Sequence, residues 1–301
     1  MADIADLIAT ALPASVRVHG GSLPRMTVEN TAGTAEIYFQ GAHVTAWHPA
    51  GSRDPVLWMS RRAMLEPGKP IRGGVPICFP WFGAHPAHAS APAHGFARVR
   101  EWRLVGAEDD ASGGVTLTME LTGADLSPHW PHSFRARHRI TMGSALRLEL
   151  DVHNPGDEPF TFEEALHSYF AVGEIRDASV EGLEDVEYVD KVGGLRRTRQ
   201  GREPIRFTGE TDRIYVDTRA TCVVHDPRGR RRVAISKTGS DDTVVWNPWI
   251  AKARAMPDFE DDEWPGMVCV ETANVGGGAR TLAPGGSHTM TAVIEVRDIA
   301  P

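Results

Sequence analysis

The sequence predicts an all-β protein, built as one large antiparallel β-sandwich with few short helices. Apolar and polar residues alternate with a period of two along much of the 301-residue chain, a pattern typical of strands with one buried and one solvent-exposed face. The 30 glycines and 21 prolines are numerous enough to supply many turns between such strands. Because helical periodicity is scarce, a parallel sheet with crossover helices is excluded.

Four segments carry the clearest strand pattern, and turn residues separate the strands. The strict alternation covers residues 35–39, 115–121, 146–152 and 290–296. Turns are predicted at residues 32–33, 112–114, 154–156, 227–229 and 284–286. Residues 3–12 are predicted to form a short helix with Asp3 as its N-cap. We expect residues 1–301 to form a single domain, with residues 1–25 as an N-terminal extension.

The charge balance limits the kinds of partner that the protein can have. The chain has 32 Lys and Arg residues against 40 Asp and Glu residues, a formal net charge of −8. Such an acidic chain is unsuited to coating nucleic acid or an anionic membrane, and the basic run 228–232 is too short for an extended nucleic-acid surface. A small anionic ligand is not excluded, since a local cluster of arginines is enough to bind it.

Hydrophobicity and cysteine usage indicate the compartment. No run of about 18 apolar residues occurs, so no membrane span is predicted, and residues 1–15 lack the basic start of a signal peptide. The 3 cysteines, Cys78, Cys222 and Cys269, are odd in number and far apart, which is typical of a reducing compartment. We therefore expect a cytoplasmic protein, and a monomer.

The densest unusual stretch is residues 71–103. Arg72 precedes two glycines that let a ligand approach the backbone closely, and its planar guanidinium matches the oxygens of phosphate or carboxylate. Phe79, Trp81 and Phe82 add aromatic surface, which suits the apolar C–H faces of a sugar ring. The same composition is typical of a crossover loop with buried aromatic residues, and composition alone leaves both interpretations open.

The histidines of this stretch suggest a metal site only weakly. His85, His88 and His94 lie close together in the sequence, but no second cluster of His, Cys or carboxylates follows at a familiar zinc or calcium spacing. We therefore expect no metal ligands here. Phosphate-binding glycine loops and the GxSxG motif of serine hydrolases are also missing.

Two further segments place ionisable groups on predicted strands. A strand through His167 puts this residue on one face with Tyr169, opposite a mostly apolar row. Glu271 shares the face of an apolar strand with Cys269, and a carboxylate there is costly unless it is paired or functional. A packed histidine and a paired core carboxylate are the structural alternatives. Trp246, beside a second tryptophan and a proline, is either an aromatic wall or a core residue.

Taken together, these segments resemble the glucose-6-phosphate 1-epimerase branch of the aldose 1-epimerase superfamily. The blocks that carry the resemblance are GAHV at 41–44, VLWMS at 56–60, RGGVP at 72–76, FPWFG at 79–83, HGFAR at 94–98, LHSYF at 166–170, ETDRIY at 210–215, DTVVWNPW at 242–249 and VCVE at 268–271. Any one block is weak evidence, whereas the ordered series over nearly the whole chain is specific. The resemblance implies a galactose mutarotase-like β-sandwich, in agreement with the strand pattern.

The resemblance also implies roles for individual residues. His167 and Glu271 match the catalytic residues of the family, and the substrate contacts match Arg72, His94, Arg98 and Asp212. Trp81 and Trp246 are candidate surfaces for stacking on the sugar. Some relatives carry a polar residue where this chain has Ala93, and residues 84–93 form an insert beside the site, so we expect the detailed specificity to differ.

The implied activity is interconversion of the α and β anomers of a hexose 6-phosphate, D-glucose 6-phosphate above all. Opening and reclosing the ring needs a base at O1 and an acid at O5, which we assign to Glu271 and to protonated His167, with the roles exchanged on closure. Arg72 and Arg98 would hold the phosphate, and Asp212 would hold a sugar hydroxyl. No cofactor is expected, because neither a redox step nor a carbanion arises.

Three alternatives stay open at this point. The chain could be a non-catalytic carbohydrate-binding or sensor protein, or a mutarotase of unphosphorylated aldoses. It could also be a polysaccharide hydrolase or lyase, although a hydrolase usually needs a second carboxylic acid at the site.

Overall fold

The computed structural model describes residues 4–110 and 113–298. The strands of these residues are β1 (Val16–His19), β2 (Arg25–Asn30), β3 (Gly33–Tyr38), β4 (His43–Pro49), β5 (Ile77–Cys78), β6 (Arg103–Asp109), β7 (Val115–Gly123), β8 (Phe134–Met142), β9 (Ala145–His153), β10 (Phe160–Phe162), β11 (Glu164–Leu166), β12 (Tyr169–Ala171), β13 (Ser179–Glu181), β14 (Glu187–Asp190), β15 (Arg196–Arg199), β16 (Ile205–Arg206), β17 (Thr211–Tyr215), β18 (Cys222–Asp226), β19 (Arg231–Thr238), β20 (Asp242–Asn247), β21 (Met267–Asn274), β22 (Arg280–Leu282) and β23 (Ser287–Asp298).

Helices are few, as predicted. The described residues contain one α-helix, α1 (Trp249–Ala255), and short 3₁₀ helices at Ile4–Leu7, Ala97–Val99, Trp264–Gly266 and Gly276–Gly278. None of these helices is long and apolar enough to cross a membrane.

The strands form two large sheets, which confirms the predicted all-β antiparallel architecture. One sheet has nine strands in the order β16-β13-β18-β19-β23-β9-β8-β7-β6. The other has eight, in the order β15-β14-β17-β20-β21-β11-β5 with β12 also paired to β21. Strands β1 to β4 form a four-stranded sheet, and β10 pairs with β22. All pairings between these strands are antiparallel.

The main hydrophobic core draws on one face of each large sheet. Leu148 and Leu150 of β9 are completely buried, whereas Glu149 between them is only partly buried. Val245, Val268 and Val270 of the eight-stranded sheet belong to the same hydrophobic cluster. Three of the predicted alternating segments fall within β7, β9 and β23, and the segment 35–39 covers the end of β3 and one residue beyond it, so the period-two pattern correctly marked strands that bury one face.

The central strands of the eight-stranded sheet are covered on both faces. Every residue of β20 and β21 is buried, which is typical of strands with protein on two sides. One face joins the main core, while Val244 and Ala273 belong to a second, smaller hydrophobic cluster on the other face. This second face carries the candidate site.

The N-terminal helix is shorter than the sequence pattern predicts. The 3₁₀ helix ends at Leu7, because Ile8 forms a parallel bridge with Leu104 of β6 and the Ala9 N–H donates to Leu104 O at 2.8 Å. The predicted N-cap, Asp3, lies outside the described residues. Strand β1, within the expected N-terminal extension, pairs with β2.

Candidate active site

Neighbouring strands of the eight-stranded sheet bring polar residues onto one face. Asp212 of β17 is the register partner of Trp246 on β20, and Val244 of β20 is the partner of Glu271 on β21. Directly paired residues point to the same side of a sheet, as do residues two apart on one strand. Asp212, Trp246 and Glu271 therefore share one face of the sheet with Val244.

His167 reaches this face from a break between two strands. The sequence suggests one continuous strand here, but β11 ends at Leu166 and β12 begins at Tyr169. The His167 N–H donates to Pro76 O at 3.0 Å, and β12 then rejoins β21 with Tyr169 opposite Cys269. The break leaves the imidazole on the side of the sheet that carries Glu271, within reach of its carboxyl group.

A cavity of about 260 Å³ opens on this face of the sheet. Its lining residues are Arg72, Phe82, Ala93, His94, Arg98, His167, Lys191, Asp212, Val244, Trp246, Lys252, Met256 and Glu271. Seven of the eight residues predicted as site residues thus line one cavity, and Trp81 is the exception. The ordered sequence blocks therefore converge in space, although their members lie up to 199 positions apart, from residue 72 to residue 271.

Trp81 lies beside the cavity rather than in its wall. Its side chain is 4% exposed, its indole N–H donates to Pro92 O at 2.9 Å, and its ring packs edge-on against Phe96. The predicted stacking surface is therefore not available at Trp81, because the indole holds the insert 84–93 against the body of the protein. Phe82, the next residue, lines the cavity instead.

His167 and Glu271 lie side by side at the buried end of the cavity. Nδ1 of His167 is 3.5 Å from Oε1 of Glu271, and the two residues are 7% and 1% exposed. This separation is longer than that of an ordinary hydrogen bond, and His167 Nδ1 and Glu271 Oε2 have no hydrogen-bond partner among the described residues. Buried polar atoms without a partner call for an explanation, and a bound ligand or a transferable proton supplies one.

Burial moves both groups toward their neutral forms. Burial, and then the positive charges of Arg72 and Arg98, lower the pKa of His167 well below its usual value. Burial, reinforced by the charge of Asp212, raises the pKa of Glu271 well above its usual value. Both shifts favour the uncharged imidazole and the uncharged carboxylic acid. The surroundings of His167 therefore oppose the protonated form that the sequence analysis assigns to it as the acid.

A column of aromatic rings holds the imidazole in place. His167 stacks on Tyr169 with ring centroids 4.7 Å apart and planes 8° apart, and Tyr169 stacks in turn on Trp58 at 5.7 Å. Trp58 packs against Phe259 at 4.9 Å, while Trp246 meets His167 edge-on at 6.1 Å. Contacts on the face and on the edge of the ring restrict its rotation, so the orientation of the imidazole is set before a ligand binds.

Arg72 is largely engaged by the protein itself. Its Nε and Nη2 atoms donate to the carboxylate of Asp258, each at 3.2 Å, and Nη1 donates to the Tyr169 hydroxyl at 2.9 Å. A guanidinium has five N–H donors, so two remain for a ligand. Arg72 therefore connects the column of rings to the cavity and still offers a positive charge to it.

Arg98 makes fewer hydrogen bonds within the protein than Arg72 does. One of its Nη2 donors reaches the carbonyl of Ala93 at 2.6 Å, and it forms no ion pair with a carboxylate of the described residues. Burial lowers the pKa of its guanidinium, as expected for a cation held in a cavity without a close counter-ion. The backbone carbonyl of Ala93 thus helps to fix the position of the Arg98 guanidinium in the wall of the cavity.

His94 is held as a neutral hydrogen-bond donor. The Gly83 N–H donates to His94 Nδ1 at 3.3 Å, and the Cys78 sulfur lies 3.3 Å from the same atom. Burial and the Arg98 charge lower the pKa of His94 well below its usual value. Because Nδ1 accepts, the ring proton resides on Nε2. His94 has a backbone φ of 63°, and the adjacent glycine at φ 73° could not be replaced, since a Cβ would lie 2.0 Å from Phe79 O.

Two lysines of the cavity were missed by the sequence reasoning. Lys191 follows β14, and its Nζ lies 3.2 Å from Oδ2 of Asp212, whereas Lys252 lies on α1, 3.9 Å from Glu210. The only sequence signal for Lys252 is its position just after the DTVVWNPW block. Together with Arg72 and Arg98, the two lysines give the cavity four cationic side chains among the described residues. These face two carboxyl groups in the cavity wall. The cavity is thus basic although the chain is acidic.

The histidines of the insert do not lie beside His94. The ring centroids of His85 and His88 are 4.8 Å apart, and His129 lies 4.7 Å from His88, but His94 belongs to the cavity. Among the described residues, a group of three potential metal ligands within 4.8 Å of one another is formed instead by His167, Cys269 and Glu271.

Known structures resemble this fold closely. The chain superposes on the crystal structure of a "putative mutarotase (YeaD)" from Salmonella typhimurium with a TM-score of 0.89 and 32% identity, covering 98% of each chain. A galactose mutarotase-like protein from Lactobacillus casei shares the fold at a TM-score of 0.68 and 16% identity, over 91% of this chain and 100% of that one. The fold is therefore that of a mutarotase-like β-sandwich.

Sequence comparison agrees with this class. A protein of Escherichia coli K12 named "Putative glucose-6-phosphate 1-epimerase" is 37% identical over 252 residues, 83% of each chain. A protein of Cenchrus ciliaris with the same name is 36% identical over 251 residues, 80% of this chain and 75% of that one. Residues 24–295 match the family model of aldose 1-epimerase. The chain belongs to the aldose 1-epimerase family, which confirms the resemblance found in its sequence.

Proposed function

We propose that this protein is an enzyme that interconverts the α and β anomers of a hexose 6-phosphate, with D-glucose 6-phosphate as its substrate. The observation that carries the proposal is the contact of His167 with Glu271, 3.5 Å apart, in a cavity lined by four cations. An acid and a base side by side suit ring opening, and the excess of cations suits a dianionic phosphate. Relatives with 36% and 37% identity are named for this same reaction.

The chemistry requires two proton transfers. A base removes the proton of the O1 hydroxyl while an acid protonates the ring oxygen O5, so that the C1–O5 bond breaks and an aldehyde forms. Rotation about C1–C2 presents the other face of the carbonyl group, and the reverse transfers close the ring. Glu271 is the base at O1 and His167 the acid at O5, with the roles exchanged on closure.

Substrate binding prepares the pair for these roles. Burial favours the uncharged forms of both groups, and the charges of Arg72 and Arg98 further lower the pKa of His167. A phosphate bound to the arginines offsets these charges and so removes one of the causes that lower the pKa of His167. A phosphorylated substrate thereby supports formation of the carboxylate and imidazolium that start the reaction.

The remaining lining residues suit a phosphosugar. Arg98 and the two unused donors of Arg72 hold the phosphate through charge-assisted hydrogen bonds. Asp212, already 3.2 Å from Lys191, accepts a hydrogen bond from a sugar hydroxyl, and Trp246 covers an apolar C–H face of the ring. This excess of positive charge favours a phosphosugar over an unphosphorylated aldose as substrate.

The test is anomer exchange followed by NMR exchange spectroscopy on glucose 6-phosphate and on glucose. His167→Ala and Glu271→Gln each lower kcat by about 10²–10⁴-fold, the usual contribution of a general acid or base. Glu120→Gln, a carboxylate of β7 paired with Arg137, is the control and retains full activity. If either site variant is folded and fully active, the assignment is wrong.

The same assay separates the alternatives. A wild-type protein that binds glucose 6-phosphate in a calorimeter but does not accelerate exchange is a carbohydrate-binding or sensor protein. Equal kcat/KM for glucose and glucose 6-phosphate identifies a mutarotase of unphosphorylated aldoses.

We also propose that the protein works in the cytoplasm as a monomer, with the phosphosugar and neither nucleic acid nor a membrane as its partner. Cys78, Cys222 and Cys269 are free and buried, which suits a reducing compartment. Cell fractionation tests the compartment, and light scattering after size-exclusion chromatography tests the oligomeric state, for which we expect the 32.8 kDa mass of one chain.

A further inference from the structure

A thiol lies next to the paired acid and base. Cys269 is completely buried, two residues before Glu271 on β21, and it is the register partner of Tyr169 on one side and Trp246 on the other. Residues two apart on a strand point to the same side, so the Cys269 side chain faces the same way as the Glu271 carboxyl group.

The donor atoms of these groups converge. One potential ligand atom each of His167, Cys269 and Glu271 lies within 4.8 Å of the others. A metal ion at the centre of three atoms so spaced lies no more than about 2.8 Å from each of them, whereas zinc lies about 2.0–2.3 Å from nitrogen, oxygen and sulfur ligands. Movements of less than about 1 Å per side chain therefore complete the coordination distances.

The three side chains have the chemistry of a zinc site. Imidazole, thiolate and carboxylate are the ligands that zinc prefers, and thiolate selects zinc over magnesium or calcium. His167 Nδ1 and Glu271 Oε2 are buried and lack a hydrogen-bond partner among the described residues, so a cation displaces no bond that these two atoms make within that part of the chain.

We propose that His167, Cys269 and Glu271 form an inhibitory site for a thiophilic divalent cation, Zn²⁺ above all, which enters through the cavity. The metal accepts lone pairs from the imidazole nitrogen and the carboxylate oxygen, and the thiol and the carboxylic acid release their protons to solvent as their metal bonds form. No oxidation or reduction takes place. A fourth position is left for water.

The consequence for activity rests on the proposed function of His167 and Glu271. A metal bound to both groups removes the base and the acid together, so Zn²⁺ inhibits reversibly and a chelator restores activity. Arg72, Arg98, Lys191 and Lys252 line the same cavity and oppose entry of a cation, and for this reason the Cys269 thiolate is needed to hold the metal.

The test uses Co²⁺ as a spectroscopic probe of the full-length protein, because a cobalt–thiolate bond gives a charge-transfer absorption that other ligands do not. We expect wild-type protein to show this band and Zn²⁺ to abolish it. Cys269→Ser loses the band, whereas Cys78→Ser and Cys222→Ser retain it. In the exchange assay Cys269→Ser needs at least about tenfold more Zn²⁺ to halve its own metal-free activity, since the loss of a residue that only hydrogen-bonds to a metal ligand already weakens binding by about 10- to 100-fold.

The spectrum decides the metal site independently of the enzyme activity. Absence of the band in folded wild-type protein, or its persistence in Cys269→Ser, overturns the proposal. If Cys269→Ser does not fold, Glu271→Gln serves in its place, and an unchanged Co²⁺ affinity in that variant overturns the proposal as well. A protein without exchange activity that still shows the band has the metal site and lacks the proposed function.

Discussion

Replacing Arg98 by methionine removes the positive charge that is least engaged by the protein while keeping a side chain of similar length. Arg98 lines the cavity and donates a hydrogen bond to the carbonyl of Ala93. Arg72, in contrast, donates three hydrogen bonds to Asp258 and Tyr169. We therefore expect the variant to lose most of its affinity for the phosphate and little of its affinity for the sugar ring.

The magnitude follows from the bonds that are lost. A hydrogen bond to a charged group contributes about 1.5–3 kcal/mol, and about 1.4 kcal/mol corresponds to a factor of ten. Loss of one bond to the phosphate thus raises KM for glucose 6-phosphate about 10- to 100-fold. KM for glucose changes by less than about threefold, because the hydroxyl contacts do not involve this guanidinium.

The assay is anomer exchange with both sugars over a range of concentrations. Arg100→Met is the matched control, since Arg100 is exposed and donates to Leu126 O at 2.8 Å outside the cavity. An equal rise of KM for both sugars, or no rise for glucose 6-phosphate, shows that Arg98 does not bind the phosphate. A rise of the same size in Arg100→Met attributes the effect to net charge rather than to the site.

Further predictions concern titration, stacking and sugar contacts. Burial lowers the pKa of His43 and His138 from 6.5 to about 4. The folded state therefore binds fewer protons than the unfolded state, and the free energy of unfolding falls by about 3 kcal/mol per histidine as the pH is lowered from 6.5 to 4. In urea unfolding experiments, the free energy of unfolding of His138→Asn should depend less on pH than that of the wild-type protein. Tyr169→Phe keeps the ring stack but loses the Arg72 bond, and kcat/KM in the exchange assay falls about tenfold. Asp212→Asn raises KM for glucose and glucose 6-phosphate alike, and a rise for only one sugar contradicts its role.

The sandwich could be predicted because its strands carry local information. Strand β9 alternates leucines with polar residues, and the completely buried Leu146, Leu148 and Leu150 lie on the core side. The helix predicted over residues 3–12 does not form over its full length, because of a contact with a residue distant in the sequence. Its pattern was helical, but pairing of Ile8 with Leu104 gave the backbone a partner almost a hundred residues away.

The candidate site was predicted where short motifs contain the ionisable residue. His167 and Glu271 lie in such blocks, whereas Lys191 and Lys252 lie outside them and reach the cavity through the positions of β14 and α1. Trp81 lies in a block, but the direction of its side chain depends on the path of the insert 84–93. A motif therefore identifies a residue, while the wall of a cavity depends on elements far apart in the chain.

The sequence by itself determined the antiparallel sandwich, the family, and the residue types of the proposed acid–base pair, because alternation and ordered motifs are properties of the chain. Tertiary structure alone decided the directions of the pKa shifts and how the charge is distributed. Burial lowers the pKa of His167 and raises that of Glu271, and folding gathered four cations into one cavity of an acidic protein. Both outcomes depend on solvent exclusion and on distances between groups, which no linear pattern specifies.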